Sequence, residues 1–184
     1  LLGYPAAYIM AMADFKTPQV MAMLFILPMW INFLLRTIAT VELFRMFGLP
    51  LGEGALLFGM VYDFLPFMIY PIYNTLQKMD TSLIEAAHDL GAKRSQVFMK
   101  VTLPLSVPGI YSGIVMVFMP TVSTFAIAEL LTHNKVTLFG SLIQRCFGEG
   151  GIAMWNYGAA LSLIMLIIIG LTSFFGGDKE DINR

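Results

Sequence analysis

Two opposite charges lie inside long apolar stretches of this sequence. Arg36 and Asp63 each stand about two helical turns from the nearer end of their stretch. A charged side chain near the centre of a membrane helix costs roughly 2.5–3.5 kcal/mol, so it normally faces a cavity or a partner. Two alternatives follow for Asp63: it contacts a cationic solute, or it forms an internal ion pair with Arg36.

Aromatic and polar side chains accompany the two charges. Carboxylates bind ammonium groups, and aromatic faces attract cations and cover methylene chains. The candidate residues of a solute pathway are Trp30, Asn32, Tyr62, Asp63, Tyr70 and Glu129. The competing interpretation is that the aromatic residues only pack against neighbouring helices.

The composition indicates that these residues belong to a membrane protein. The chain has 184 residues, of which 58% are hydrophobic and 12% charged, whereas soluble domains are about 45–50% apolar and about 25% charged. A large soluble core does not explain the uninterrupted apolar runs, because runs of roughly 18 residues indicate membrane helices. The net charge of −1 gives no basic field for binding nucleic acid.

We predict an all-α, polytopic transmembrane helix bundle. The predicted full spans are residues 20–41, 55–76, 105–130 and 157–175. Residues 1–13 form a helix of only about 20 Å, shorter than a bilayer core of about 30 Å, so we expect the second half of a span whose first half is missing. Residues 1–176 then form a single domain with a polar tail at 177–184, and residues 138–147 form a short interfacial helix.

The Lys and Arg residues predict the orientation. With the loop at residues 77–104 in the cytoplasm, seven basic residues lie inside and three outside. The inner set is Lys16, Lys78, Lys93, Arg94, Lys100, Lys179 and Arg184, and the outer set is Arg45, Lys135 and Arg145. This excess of inner positive charge is typical of membrane proteins.

The loop at residues 77–104 is predicted to form two short helices. Ser82 and Glu85 have the spacing of a capping box that begins the first helix. Gly91 suits a left-handed end of that helix. We expect a second helix at residues 95–101, stopped by Pro104.

The same loop carries a specific spacing: Glu85-Ala86-Ala87, then Gly91, Val101 and Leu103-Pro104. This spacing resembles the signature loop of the permease subunits of ATP-binding-cassette importers, with Val101 where Ile is commoner. The resemblance implies the fold of a binding-protein-dependent importer permease, whose cytoplasmic loop docks on an ATPase. The implied contact residues are Glu85, Ala86, Ala87, Gly91, Ala92, Leu103 and Pro104. The alternative for Glu85 is a role in helix capping alone.

The chain contains no catalytic or metal site that the sequence reveals. It lacks a G-x-x-x-x-G-K-[ST] phosphate loop, so ATP and Mg are expected to be used by a partner subunit. Cys146 is the single cysteine, which excludes a multi-cysteine metal site. We expect this chain to bind no cofactor itself.

Two apolar stretches narrow the resemblance. Residues 28–37 (PMWINFLLRT) and 65–73 (LPFMIYPIY) are similar to the B-type permease subunits of spermidine/putrescine importers. That subfamily implies an ATPase dimer, a second permease subunit, an extracytoplasmic solute-binding protein and a location in the bacterial inner membrane. Another cargo (an iron complex, sulfate or another solute), a membrane scaffold and a membrane-embedded enzyme are the alternatives.

Overall fold

The computed structural model describes residues 1–12, 20, 23, 25–133, 135–148 and 151–181, and every regular element in them is helical. The α-helices are α1 Gly3–Met12, α2 Phe33–Met46, α3 Glu53–Gln77, α4 Thr81–Asp89, α5 Arg94–Val97, α6 Leu103–Ser123, α7 Ala126–Thr132, α8 Phe139–Gly148 and α9 Gly151–Asp181. A 3₁₀ turn, Leu27–Trp30, precedes α2, and a π-helical turn, Phe98–Thr102, joins α5 to α6. The predicted all-α fold class is confirmed.

Three helices of the described chain are long and apolar enough to cross a membrane. They are Glu53–Gln77, the continuous helical stretch Arg94–Ser123, and Ala153–Ser173. They correspond to the predicted spans at residues 55–76, 105–130 and 157–175. The end predicted at residue 130 is wrong, because the extended backbone of Thr124 ends α6 after Ser123 and α7 then begins at Ala126.

The first predicted span, residues 20–41, is not one continuous helix. Ile31 has an extended backbone, and the Asn32 side chain accepts a hydrogen bond from the Leu34 backbone N–H as the N-cap of α2. A short polar side chain that bonds to its own backbone favours a helix start over a helix interior. Helix α2 therefore begins inside the predicted span and continues to Met46. Residues 21, 22 and 24, and the polar turn predicted at 14–19, lie outside the described residues.

Helix α3 is the central element of the bundle. One face packs on α1 through Ala7 and Met10, which are buried against Ile69 and Ile72. A second apolar cluster joins its N-terminal half to α2 and α7. Because α3 contacts α1, α2, α6 and α7, it holds the residues of all these helices at fixed positions.

Helices α3 and α6 approach each other closely where glycines replace larger side chains. A Cβ atom added to Gly109 would lie 2.5 Å from the Thr75 hydroxyl oxygen and 2.9 Å from the Pro71 carbonyl oxygen. One added to Gly113 would lie 2.9 Å from the Met68 sulfur. Small residues that allow such close backbone approach are typical of membrane helix interfaces.

We expect Gly109→Val to reduce the yield of folded permease severely. The added side chain must displace the α3 backbone at Pro71, and overpacking of this kind costs about 1–3 kcal/mol or more. Gly170→Val is the matched control, because a Cβ at Gly170 meets no atom within 4 Å. Fluorescence-detected size-exclusion chromatography of the two variants measures the difference, and equal yields would contradict the close α3–α6 contact.

The C-terminal third contains one amphipathic helix and one long apolar helix. The short helix predicted at residues 138–147 is observed as α8, Phe139–Gly148. Helix α9 continues to Asp181, so the predicted domain boundary at residue 176 does not coincide with the end of a helix.

Candidate functional site

Helix α4 of the loop begins with a carboxylate cap. The Asp80 side chain accepts a hydrogen bond of 2.9 Å from the Ser82 backbone N–H. This bond lowers the pKa of the Asp80 carboxyl below its ordinary value, so the cap is charged at neutral pH and weakens only as the pH falls through that lowered pKa. The predicted capping box of Ser82 and Glu85 is wrong, because Asp80 lies two residues earlier and occupies the N-cap position.

Gly91 closes the C-terminal end of α4 in a left-handed conformation, as predicted. Gly91 has a φ of +80°, a conformation that costs residues with a Cβ atom roughly 1–2 kcal/mol. Its N–H donates to the His88 carbonyl at 2.9 Å, and the Ala92 N–H donates to the Ala87 carbonyl at 3.1 Å. These two bonds are those of a Schellman motif, which closes the end of a helix and turns the chain.

The predicted contact residues lie on the accessible part of this loop. Glu85, Ala86, Gly91 and Pro104 are exposed, and Ala87, Ala92 and Leu103 are half-buried. Glu85 is not needed to cap α4, since Asp80 does so. The small side chains leave a surface that a partner groove can approach closely, with the apolar Leu90 88% exposed beside it.

Pro104 does not stop the second loop helix. It lies in the first turn of α6, and the helical path runs without interruption from Arg94 to Ser123. Immediately before it, the Leu103 N–H donates to the Phe98 carbonyl, which is the five-residue hydrogen bond of a π turn. Since a proline ring collides with the carbonyl four residues earlier in a regular α-helix, the wider π turn accommodates Pro104 without a break.

An aromatic cluster that the sequence analysis missed connects this turn to α1. The Phe98 ring makes edge contacts with the Tyr4 and Tyr8 rings, at centroid distances of 5.9 and 5.3 Å. The Tyr4 hydroxyl and the Ser106 hydroxyl are hydrogen-bonded at 2.9 Å. The four-residue spacing of Tyr4 and Tyr8 indicates that both rings lie on one face of α1. It does not indicate Phe98 as their partner, because Phe98 lies at least ninety residues later in the sequence.

The two intramembrane charges meet between α2 and α3. The Arg36 Nε lies 3.3 Å from the Asp63 Oδ1, and the two side chains are 7% and 1% exposed. The Thr37 hydroxyl donates to the other carboxylate oxygen at 3.2 Å, and the Tyr62 ring lies 5.9 Å from the guanidinium carbon. Of the two alternatives for Asp63, this geometry favours the ion pair, because the carboxylate contacts Arg36 and Thr37 and is shielded from solvent.

The six predicted pathway residues are spread over several elements of the described part of the chain. Tyr62 and Arg36 line a cavity of about 260 Å³ between α2 and α3, and Tyr70 lines a different cleft. Trp30, 82% exposed, lies in the 3₁₀ turn, while Asn32 caps α2. Glu129 is exposed on α7, not at the end of a long span as predicted.

Among the described residues, no group of three His, Cys, Asp or Glu side chains is placed to hold a metal ion. The chemistry that the described residues offer is therefore of two kinds. One is an exposed, capped loop of small residues, and the other is a neutralised charge pair inside the helix bundle.

Comparisons with known proteins connect these features to one family. The family model of the binding-protein-dependent transport system inner membrane component matches residues 3–177. The spermidine/putrescine transport system permease protein PotB of Escherichia coli (strain K12) is 35% identical in an alignment that covers 93% of this chain and 68% of that protein. PotB of Haemophilus influenzae is also 35% identical, over 95% of this chain and 66% of that protein.

A solved structure shows the same fold. An inward-facing form of the MetNI methionine ABC transporter superposes with a TM-score of 0.72 at 20% identity, over 96% of this chain and 83% of that chain. The present chain spans about two thirds of the length of the PotB relatives. The resemblance first indicated by the loop spacing is thus confirmed: the chain belongs to the family of binding-protein-dependent transport system inner membrane components, the permeases of ATP-binding-cassette importers.

Proposed function

We propose that this chain is the membrane permease subunit of an ATP-driven importer of polyamines such as spermidine and putrescine. The observation that carries the proposal is the 35% identity to spermidine/putrescine permeases over 93% of the chain. The predicted signature loop supports an importer over a membrane scaffold, because a scaffold has no use for it. The described residues provide no polar catalytic cluster for a membrane-embedded enzyme.

The proposed assembly contains three kinds of protein partner. An ATPase dimer binds ATP and Mg and docks on α4 and the turn that follows it, through Glu85, Ala86, Ala87, Gly91 and Ala92. A second, homologous permease completes the membrane pathway, and an extracytoplasmic binding protein delivers the solute. The excess of Lys and Arg supports an orientation with the loop at residues 77–104 and the tail at 177–184 in the cytoplasm.

The proposed solute pathway uses aromatic surfaces more than Asp63. Tyr62 is partly exposed and stacks on Phe58 at 6.5 Å, and Trp30 and Tyr70 also expose their rings. Such faces bind ammonium groups and methylene chains. Asp63, which pairs with Arg36, acts in this proposal as a structural counter-ion.

We expect cells that lack polyamine transport to regain saturable uptake of labelled spermidine or putrescine when they express the full-length permease with its partner subunits. Excess unlabelled spermidine abolishes that uptake, whereas sulfate and ferric citrate leave it unchanged. Omission of the permease alone is the control. Uptake of sulfate or iron in place of polyamine would assign this chain to one of the alternative cargoes.

A further inference from the structure

A polar cleft lies between α3, α6 and α9. Its volume is about 470 Å³, and α3 and α9 form its sides because both pack on α6. Its polar lining includes Asn74, Thr75, Lys78, Tyr111, Ser112 and Ser173. Charged side chains are rare on membrane helices and normally face a cavity or a partner, and Lys78 belongs to the lining of this cleft.

The charge of the cleft indicates the sign of that occupant. Lys78 is the one charged residue among the described lining, and none of that lining is acidic. In the described part of the chain, Lys78 has no carboxylate partner, and Asn74, Ser112 and Ser173 make no side-chain hydrogen bond. An ammonium beside amide and hydroxyl donors is suited to a phosphate group and repels a polycation such as a polyamine.

The polarity of the cleft changes along the helices. Lys78 directly follows the end of α3, whereas Tyr70 lies eight residues earlier, about 12 Å deeper along the axis. On α6, which starts at Leu103, the apolar Val115 and Met116 lie beyond Ser112 and thus further from the loop. A charged end that leads into an apolar interior matches an amphiphile with its headgroup at the Lys78 end.

We infer that this cleft binds an anionic phospholipid of the cytoplasmic leaflet, with Lys78 holding the headgroup phosphate and the α6 residues contacting the upper acyl chain. The inference rests on the orientation proposed above, which places the end of α3 at the cytoplasmic surface. That surface carries anionic lipids, and basic pockets between membrane helices bind their headgroups.

The test counts lipids bound to the complete, resting transporter. The full-length complex is reconstituted in nanodiscs of phosphatidylcholine with or without phosphatidylglycerol, and native mass spectrometry measures retained phosphatidylglycerol. We expect Lys78→Gln to weaken this binding about fivefold, as expected for loss of one basic residue near an anionic leaflet. Lys78→Arg should retain it, and so should Lys100→Gln, which removes an exposed charge on the same predicted side outside the cleft.

Two further arms separate the alternatives. Inorganic phosphate added to phosphatidylcholine nanodiscs should not raise the thermal midpoint of the complex, whereas phosphatidylglycerol should; stabilisation by free phosphate alone would overturn the lipid assignment. Equal phosphatidylglycerol retention by the parent complex and Lys78→Gln would also overturn it.

A changed KM for spermidine without changed lipid retention would assign the cleft to the solute. Because lipid counting needs no transport, failure of the inference is distinguishable from failure of polyamine uptake.

Discussion

Gly91→Pro is expected to stop solute uptake while leaving the permease inserted in the membrane. Proline fixes φ near −65°, whereas Gly91 has a φ of +80° and donates its N–H to His88. The variant therefore loses the Schellman closure and redirects α5 away from α4. Sparsely populated backbone conformations cost about 1–3 kcal/mol. Since about 1.4 kcal/mol corresponds to a factor of ten, we expect uptake to fall by a factor of about ten to a hundred or more.

The chain provides a closely matched control for this substitution. Gly48 also has a positive φ, +64°, and donates its N–H to the carbonyl three residues earlier, at 3.1 Å. It lies between α2 and α3, at the other end of the bundle from the proposed docking loop. Gly48→Pro therefore imposes the same local conflict without touching α4, and we expect it to retain much more uptake.

The comparison of uptake with ATP hydrolysis shows whether docking is lost. In membranes with the full complex, Gly91→Pro should abolish the stimulation of ATPase activity by the loaded binding protein. Ala87→Asp, which adds a charge to the proposed docking surface without a backbone conflict, should have the same effect. Normal uptake by both variants at wild-type expression would refute a role of this loop in coupling.

Local sequence rules predicted the elements whose signals are local. The left-handed Gly91, the span of α3 and the amphipathic α8 each depend on residues within one or two turns, and each is observed within about two residues. The failures arose where two local signals compete. Asp80 displaced Ser82 as the cap, and Asn32 began a helix inside an apolar stretch that composition alone assigned to one span.

Other features needed tertiary structure. Pro104 has a helix-breaking signal, yet the π turn before it removes the conflict, and no residue type predicts that turn. The cluster of Tyr4, Tyr8 and Phe98 depends on α1 packing beside the start of α6. Apolar periodicity cannot specify it either, because lipid-facing and protein-facing surfaces of membrane helices are similarly apolar.

Removal of one partner from the Arg36–Asp63 pair is the second change with a large expected effect. Arg36→Leu leaves a carboxylate that is 1% exposed without its counter-charge, and breaking a buried pair in this way costs about 3–5 kcal/mol. We expect little folded permease from this variant or from Asp63→Leu. Arg36→Leu combined with Asp63→Leu removes both charges. The folded yield of this double variant should therefore recover most of the loss.

An exposed ion pair in α2, the helix that carries Arg36, provides a reference for the stability loss. Arg45 and Glu42 of α2 lie 3.2 Å apart but are 60% and 63% exposed, and exposed pairs contribute about 0–1 kcal/mol. Arg45→Leu should therefore leave the thermal midpoint nearly unchanged. Loss of stability comparable to that of Arg36→Leu would contradict the importance of burial.

The double variant Arg36→Leu with Asp63→Asn separates structure from transport. Asn keeps the size of Asp63 and can still accept from the Thr37 hydroxyl, so the site retains its shape without either charge. If Asp63 is a structural counter-ion, spermidine uptake per folded complex should remain close to that of the parent protein. A rise in KM at a normal folded yield would instead return Asp63 to the solute pathway. In that case the pair would have to open during transport, because the carboxylate is enclosed by Arg36 and Thr37 in the conformation described.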